Sequence, residues 1–209
     1  MIYFNFHHHH SAVKEGIYNI NSYREVPVHA FSIGLHPKDL HDDWTEDFNK
    51  IKKISLNKNC LAIGECGLDG LIAVPQLLQE EVFAAHLQWA DEIGKPVIIH
   101  CVRKFQETVR LCKGLNQAAV IHGFNKKKEL AGELLSHGFY LSFGAALLHS
   151  VSLQQTLKTI PRERLFLETD DKEVDISEIY TTAGNLLNIP LEELAGQVSE
   201  NLKRICNEH

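Results

Sequence analysis

LAIGECGLDGLIAVPQLLQEEVFAAHLQWADEIGKPVIIH, residues 61–100, carries the pattern that decides the fold. A short apolar run, LAIGE (61–65), ends on a carboxylate. VPQLLQEEVFAAHLQWADEIG (74–94) then sets Leu78, Val82, Ala85, Trp89 and Ile93 at helical spacing and stops at Gly94. A second apolar run, PVIIH (96–100), ends on a histidine and leads into a helix with Phe105, Val109 and Cys112. The same unit recurs downstream. AAVIH (118–122) precedes a helix with Leu130 and Leu134 that ends at Gly138, and FYLSF (139–143) and RLFLETD (164–170) are two more buried-type strands, each followed by helical periodicity. Strands apolar on both faces that alternate with helices imply a parallel sheet covered by helices.

Upstream the pattern thins. IYFNF (2–6) and VHAFSIGL (28–35) read as strands, IYNI (17–20) as a weak one, and Thr45 as the N-cap of a helix carrying Phe48 and Ile51. Only about twenty residues separate the first strand from Val28, too few for a helical crossover plus a strand. The expectation is an α/β fold, a TIM-type (β/α) barrel incomplete or distorted at its N-terminal crossover, with residues 1–209 forming a single domain.

A chain of 209 residues fits one sizeable core and is short for two. It holds no apolar run long enough to span a membrane and no basic region followed by an apolar leader. The cysteines at 60, 66, 101, 112 and 206 form no C-x-x-C pair and are odd in number, which favours reduced thiols and a cytoplasmic setting. A formal charge of −6 argues against a wide nucleic-acid groove. It leaves room for a small metal-centred site that takes one strand end. No membrane contact and no obligate protein partner is implied.

The polar residues that close the apolar runs carry the chemistry. YFNFHHHHSA (3–12) could be a tag remnant, a solvated tract or the start of a metal site. His7 and His9 share one strand face, because strand side chains alternate. His36, Glu65, His100, His122 and Asp170 close later strands. The strand C-termini of a (β/α) barrel meet on one rim, where such barrels hold their chemistry. One histidine at a strand end is ordinarily a hydrogen-bonded structural residue, and Glu65 or Asp170 alone could cap the next helix. The whole set on one rim is better explained by metal, since ionisable groups beside buried strands are costly unless paired or bound. His8 and His10 point the other way along the strand. His29, His41, His86, His137, His149 and His209 read as surface or helix residues.

These residues carry a resemblance. NFHHHH (5–10) is similar to a D-x-H-x-H opening, IGLHP (33–37) to G-x-H-P, and IGECGLD (63–69) to G-E-x-G-L-D. IIHCVR (98–103), VIHGF (120–124), LETD (167–170) and NLKRI (201–205) follow in the same order. The ordered set spans the chain and resembles TatD-type metal-dependent hydrolases of the amidohydrolase-like barrel group. The resemblance implies two divalent metal ions. His7, His9 and Asp170 would hold one, His100 and His122 the other, and Glu65 would bridge both. Such ligands fit Zn²⁺ or Mn²⁺, whereas Mg²⁺ prefers more oxygens. Glu65 and Asp170 would then be catalytic, Asp170 taking a proton from the attacking water, with His36 and Arg103 holding a phosphate. Lys104 and Lys126, Lys127 and Lys128 add local positive charge.

Two departures from the family pattern stand out. Asn5 replaces the usual Asp, and DKEV follows LETD where a small residue, Pro and an aromatic are usual. The expected activity is a phosphodiesterase or deoxyribonuclease, exonuclease-like, on nucleic-acid ends or a small phosphodiester. The alternatives are a metallo-hydrolase of an amide or ester bond (a deacylase), and a non-catalytic relative that binds metal or a partner. Because His7 and His9 fill slots that the other motifs require, the histidine run reads as part of a site.

Overall fold

The computed structural model describes residues 2–20 and 26–206. The strands are β1 (Asn5–His8), β2 (Gly16–Ile20), β3 (Phe31–Ile33), β4 (Cys60–Asp69), β5 (Val97–Val102), β6 (Ala119–Ile121), β7 (Tyr140–Phe143) and β8 (Leu165–Leu167). The helices are α1 (Trp44–Ser55), α2 (Gln76–Ile93), α3 (Phe105–Leu111), α4 (Lys128–Ser136), α5 (Val151–Leu157), α6 (Ile176–Leu187) and α7 (Leu191–Ile205). Strand order in the sheet is strand order in the chain, and an α-helix follows every strand from β3 onward. This is the (β/α) alternation of a TIM-type barrel. Among the described residues no helix lies between β1 and β3, as the short N-terminal spacing requires. The contacts group into two compact units, residues 19–121 and residues 1–18 with 122–209.

In the unit of residues 19–121, β3 to β6 pair in parallel. Ile33, Ile63, Phe83, Ile98 and Ile99 are buried in its core. Gly64 (φ 136°) and Gly67 (φ 141°) have backbone that side chains rarely adopt. A Cβ at Gly64 would collide with the Ile98 carbonyl, and one at Gly67 with that of His100. The glycines of IGECGLD therefore let β4 lie against β5. Helix α2 stops at Gly94, left-handed at φ 71°, as its sequence implies.

Two local expectations are corrected here. The N-cap of α1 is Asp43, and Thr45 sits inside the first turn. The buried stripe of α2 is Gln79, Val82, Phe83, His86, Leu87 and Ala90, so of the expected face Val82 is buried, while Leu78, Ala85, Trp89 and Ile93 lie at its margin. The apolar pattern misleads because two polar residues occupy the stripe.

In the unit of residues 1–18 and 122–209, β1 pairs with β2 and β7 with β8, both in parallel. Phe6 stacks on Phe166 at 4.1 Å between ring centroids, joining β1 to β8. Asp175 caps α6 by accepting from Ser177 N at 2.8 Å, and Asn201 of α7 donates to the carbonyls of Arg162 and Leu165. β8 ends at Leu167, short of the expected Asp170. His209 lies outside the described residues.

Candidate metal-binding groups

In the discontinuous unit, β1 supplies His7, and the chain just beyond it supplies His9. The partner carboxylate is Asp170, whose Oδ1 lies 3.8 Å from His7 Nε2 and 3.4 Å from His9 Nε2. One ligand atom from each of the three lies within 4.8 Å of the others. The period-two spacing of His7 and His9 brings both imidazoles to one carboxylate, with ring centroids 5.0 Å apart. Asp170 reaches them in a way that an extended strand would not. It is left-handed at φ 55° and forms an isolated parallel bridge with His8. Its N–H donates to His7 O at 3.0 Å, and its carbonyl accepts from His9 N at 3.2 Å. Asp171 is 61% exposed and pairs with Lys172.

Asn5 locks this arrangement. Its Nδ2 donates to Thr169 Oγ1 at 2.8 Å, and its Oδ1 accepts from Thr169 N at 2.9 Å. One amide thus supplies both a donor and an acceptor, a combination that an ionised Asp lacks.

His122 lies in the same unit, its ring centroid 4.5 Å from that of His7. Its Nδ1 faces Glu168 Oε1 at 3.3 Å, and the same oxygen accepts from Gly123 N at 2.6 Å. Glu168 is fully buried, and its Oε2 has no hydrogen-bond partner among the described residues. A buried carboxylate oxygen left unsatisfied is costly, and a cation nearby relieves that cost. The donor chemistry here fits a divalent ion.

In the unit of residues 19–121, Glu65, His100 and His36 come together within 4.8 Å. Glu65 Oε1 lies 2.8 Å from His100 Nδ1 and 3.4 Å from His36 Nε2. The Glu65 N–H donates to Asn19 Oδ1 at 2.9 Å, so its backbone is fixed as well. None of the three closes its strand as expected. β4 runs on past Glu65 to Asp69, β5 runs past His100 to Val102, and His36 caps a 3₁₀ turn after β3.

The hydrogen bonds separate the roles of the two imidazoles. His36 Nδ1 accepts from Lys38 N at 3.0 Å. In a neutral ring the proton is therefore on Nε2, directed at Glu65, which suits His36 to donate a hydrogen bond. His100 faces an acceptor at each nitrogen, Glu65 on Nδ1 and Asp69 Oδ2 on Nε2 at 3.1 Å. A cation shared by Glu65 and Nδ1 would leave Asp69 to take the Nε2 proton, the usual way in which a carboxylate orients a ligating histidine. Arg103 follows β5 on exposed, left-handed backbone at φ 56°.

Sequence reasoning missed Asp69 and Glu168. Both stand inside quoted motifs, one closing β4 and one just past β8. Each could have been found by asking which carboxylate serves the second nitrogen of each candidate histidine. His86, grouped with surface or helix residues, is a helix residue and is fully buried.

The model of the family described as TatD related DNase matches residues 9–207. The chain belongs to this family. It is 31% identical to an uncharacterised metal-dependent hydrolase, YabD, of Bacillus subtilis, over 83% of this chain and 76% of that one. It is 33% identical to a protein named 3'-5' ssDNA/RNA exonuclease TatD from Enterobacter lignolyticus, over 66% of this chain and 55% of that one. YjjV, a TatD homologue from Escherichia coli K12, shares the fold with a TM-score of 0.85 at 18% identity over 100% of both chains. A TatD family hydrolase from Entamoeba histolytica does so at 0.82 and 17% over 98% of each. This chain is a TatD-family metal-dependent hydrolase with the family's TIM-type barrel fold.

Proposed function

We propose that this TatD-family hydrolase cleaves phosphodiester bonds at nucleic-acid ends, and that both units act as one catalytic domain. The observation that carries the reading is the pair of donor groups, each joining imidazoles to a carboxylate. In this reading His7, His9 and Asp170 would hold one divalent ion, His100 and His122 would hold a second, and Glu65 would be a ligand common to both. When bound, the ions supply Lewis acidity and a water that ionises near neutral pH.

The residues of the chain do the rest. Asp170, about one-third exposed, accepts the proton of the attacking water. His36 donates its Nε2 proton to a phosphate oxygen, and the exposed Arg103 guanidinium holds a second oxygen as a fork. Lys126, Lys127 and Lys128 lie exposed ahead of and at the start of α4 and add positive charge for a strand end. Zn²⁺ and Mn²⁺ match the histidine content better than Mg²⁺ does. Among the described residues no helix is long and apolar enough to cross a membrane. The odd number of cysteines, with no C-x-x-C pair, supports a cytoplasmic setting.

The test is hydrolysis of 3'-end-labelled single-stranded DNA, a generic phosphodiester and an N-acyl amino acid, each with Mg²⁺, Mn²⁺ or Zn²⁺. Stepwise loss of 3' nucleotides with one of the ions supports the reading. Turnover of the N-acyl substrate alone replaces it with a deacylase.

A further inference from the structure

Helix α2 carries two buried polar side chains, Gln79 and His86, seven residues apart on one face. On an apolar stripe such groups destabilise unless fully hydrogen-bonded. Both are satisfied, and by backbone that adjoins the Glu65 group. His86 Nε2 accepts from Leu35 N at 3.0 Å, and its Nδ1 lies 2.8 Å from Val82 O. The backbone donor fixes the tautomer, with Nδ1 protonated and Nε2 the acceptor. Leu35 immediately precedes His36. Gln79 Oε1 accepts from Asp69 N at 2.7 Å, while its Nε2 donates to Asp69 O at 3.1 Å and to Val74 O at 2.9 Å. Asp69 in turn holds His100 Nε2.

We propose that His86 and Gln79 are positioning residues, the first for His36 and the second, through Asp69, for His100. Two turns of one helix thus set both imidazoles that flank Glu65. The proposal rests on the reading above, in which His36 contacts substrate and His100 holds metal, and it assigns the two helix residues different consequences. Loss of the His86 acceptor lets the backbone before His36 move and weakens substrate binding. Loss of Gln79 releases Asp69 and loosens His100 as a ligand.

The experiment uses the full chain with His86→Phe, His86→Gln, Gln79→Leu and, as a control on the same buried stripe, Leu87→Ala. Each protein is measured for Mn²⁺ affinity by free-ion EPR, for kcat and KM on a generic phosphodiester, and for melting temperature. Gln79→Leu is expected to weaken one Mn²⁺ site by about 10- to 100-fold, the usual effect of losing an outer support of a ligand. His86→Phe is expected to raise KM roughly 10-fold with Mn²⁺ affinity kept, because small displacements of a positioning group are costly. His86→Gln, which can accept from Leu35 N and donate to Val82 O, should restore KM. Leu87→Ala should lower the melting temperature and leave both constants in place.

If Mn²⁺ affinity and KM follow melting temperature alike in every variant, the two residues are fold staples and the proposal fails. If His86→Phe is too unstable to purify, the Gln79→Leu and Leu87→Ala pair decides on the metal arm. A wild-type protein that neither binds Mn²⁺ nor cleaves the phosphodiester overturns the functional reading itself, before any variant is compared.

Discussion

The two donor groups are built by opposite means. His7, His9 and Asp170 are aligned by backbone, through a parallel bridge between β1 and a left-handed Asp170, with the Asn5–Thr169 amide pair beneath them. Glu65, His100 and His36 are aligned by side chains, from Asn19, Asp69 and two polar residues of α2. The first group also belongs to a unit made of two distant pieces of chain, and the second to a continuous one. A backbone-built group tolerates surface change and is sensitive at the residue that turns the chain. A side-chain-built group is adjustable from a distance, through residues that never touch the chemistry.

The sharpest way to break this comparison is Asp170→Asn. Its carboxylate lies between two imidazoles, so in the proposed reading the substitution would remove a proton acceptor and a charged ligand, while the backbone bonds that shape the turn remain. Activity should fall by about 10²–10⁴ with little change in melting temperature, as read from metal-saturated assays and a thermal melt. An equally large loss of stability would mean that the carboxylate, and not the backbone, holds this turn.

Acidification should separate the groups next. Burial pushes the His86 imidazole down to about 4, against an ordinary value of 6.5. The unfolded chain therefore binds a proton between these values that the folded chain does not. The stabilising contribution is complete above about pH 6.5 and is lost as the pH falls towards 4. The full effect is roughly 3 kcal/mol. Urea unfolding at pH 4.5 and pH 7 should show that loss in wild type and a smaller one in His86→Gln.

Asn5→Ala removes both partners of Thr169 inside the discontinuous unit. It should destabilise the fold by about 2 kcal/mol, measured by urea unfolding. Asn5→Asp can still accept from Thr169 N and from the rotated hydroxyl, so it should lose less. At the small end, Asp171→Asn should leave kcat within about 2-fold. Its side chain is exposed and pairs with Lys172.

The alternation of apolar runs and helices was legible from the sequence, as was the lack of a helix between β1 and β3 among the described residues, since chain length limits what can fit. The polar residues that the structure gathers, His7 with His9 and Asp170 and Glu65 with His36 and His100, could be picked out in the sequence because polar groups beside buried strands need a reason. Their phase was not. Asp170 was expected to close a strand, yet β8 stops at Leu167, and a left-handed residue redirects the carboxylate. Apolar counting places an amphipathic face well only when the face is apolar. On α2 the stripe contains Gln79 and His86, whose partners are backbone groups far along the chain, and local pattern cannot show such partners. Glu168 escaped for the same reason, since its hydrogen-bond partners, His122 and Gly123, lie more than forty positions away in the chain.

The bridge between β1 and the chain after β8 also bears on how the molecule reaches its native state. β1 pairs on one side with β2, close by in the chain, and that contact closes a small loop. On its other side, Asn5 meets Thr169 across 164 positions. Closing so large a loop costs more entropy than the local β1–β2 contact does, although that cost grows only slowly with length. The His7, His9 and Asp170 group exists only once that loop is closed. An ion held there would bind the closed form and not the open chain, so adding a divalent ion should raise the urea midpoint of unfolding.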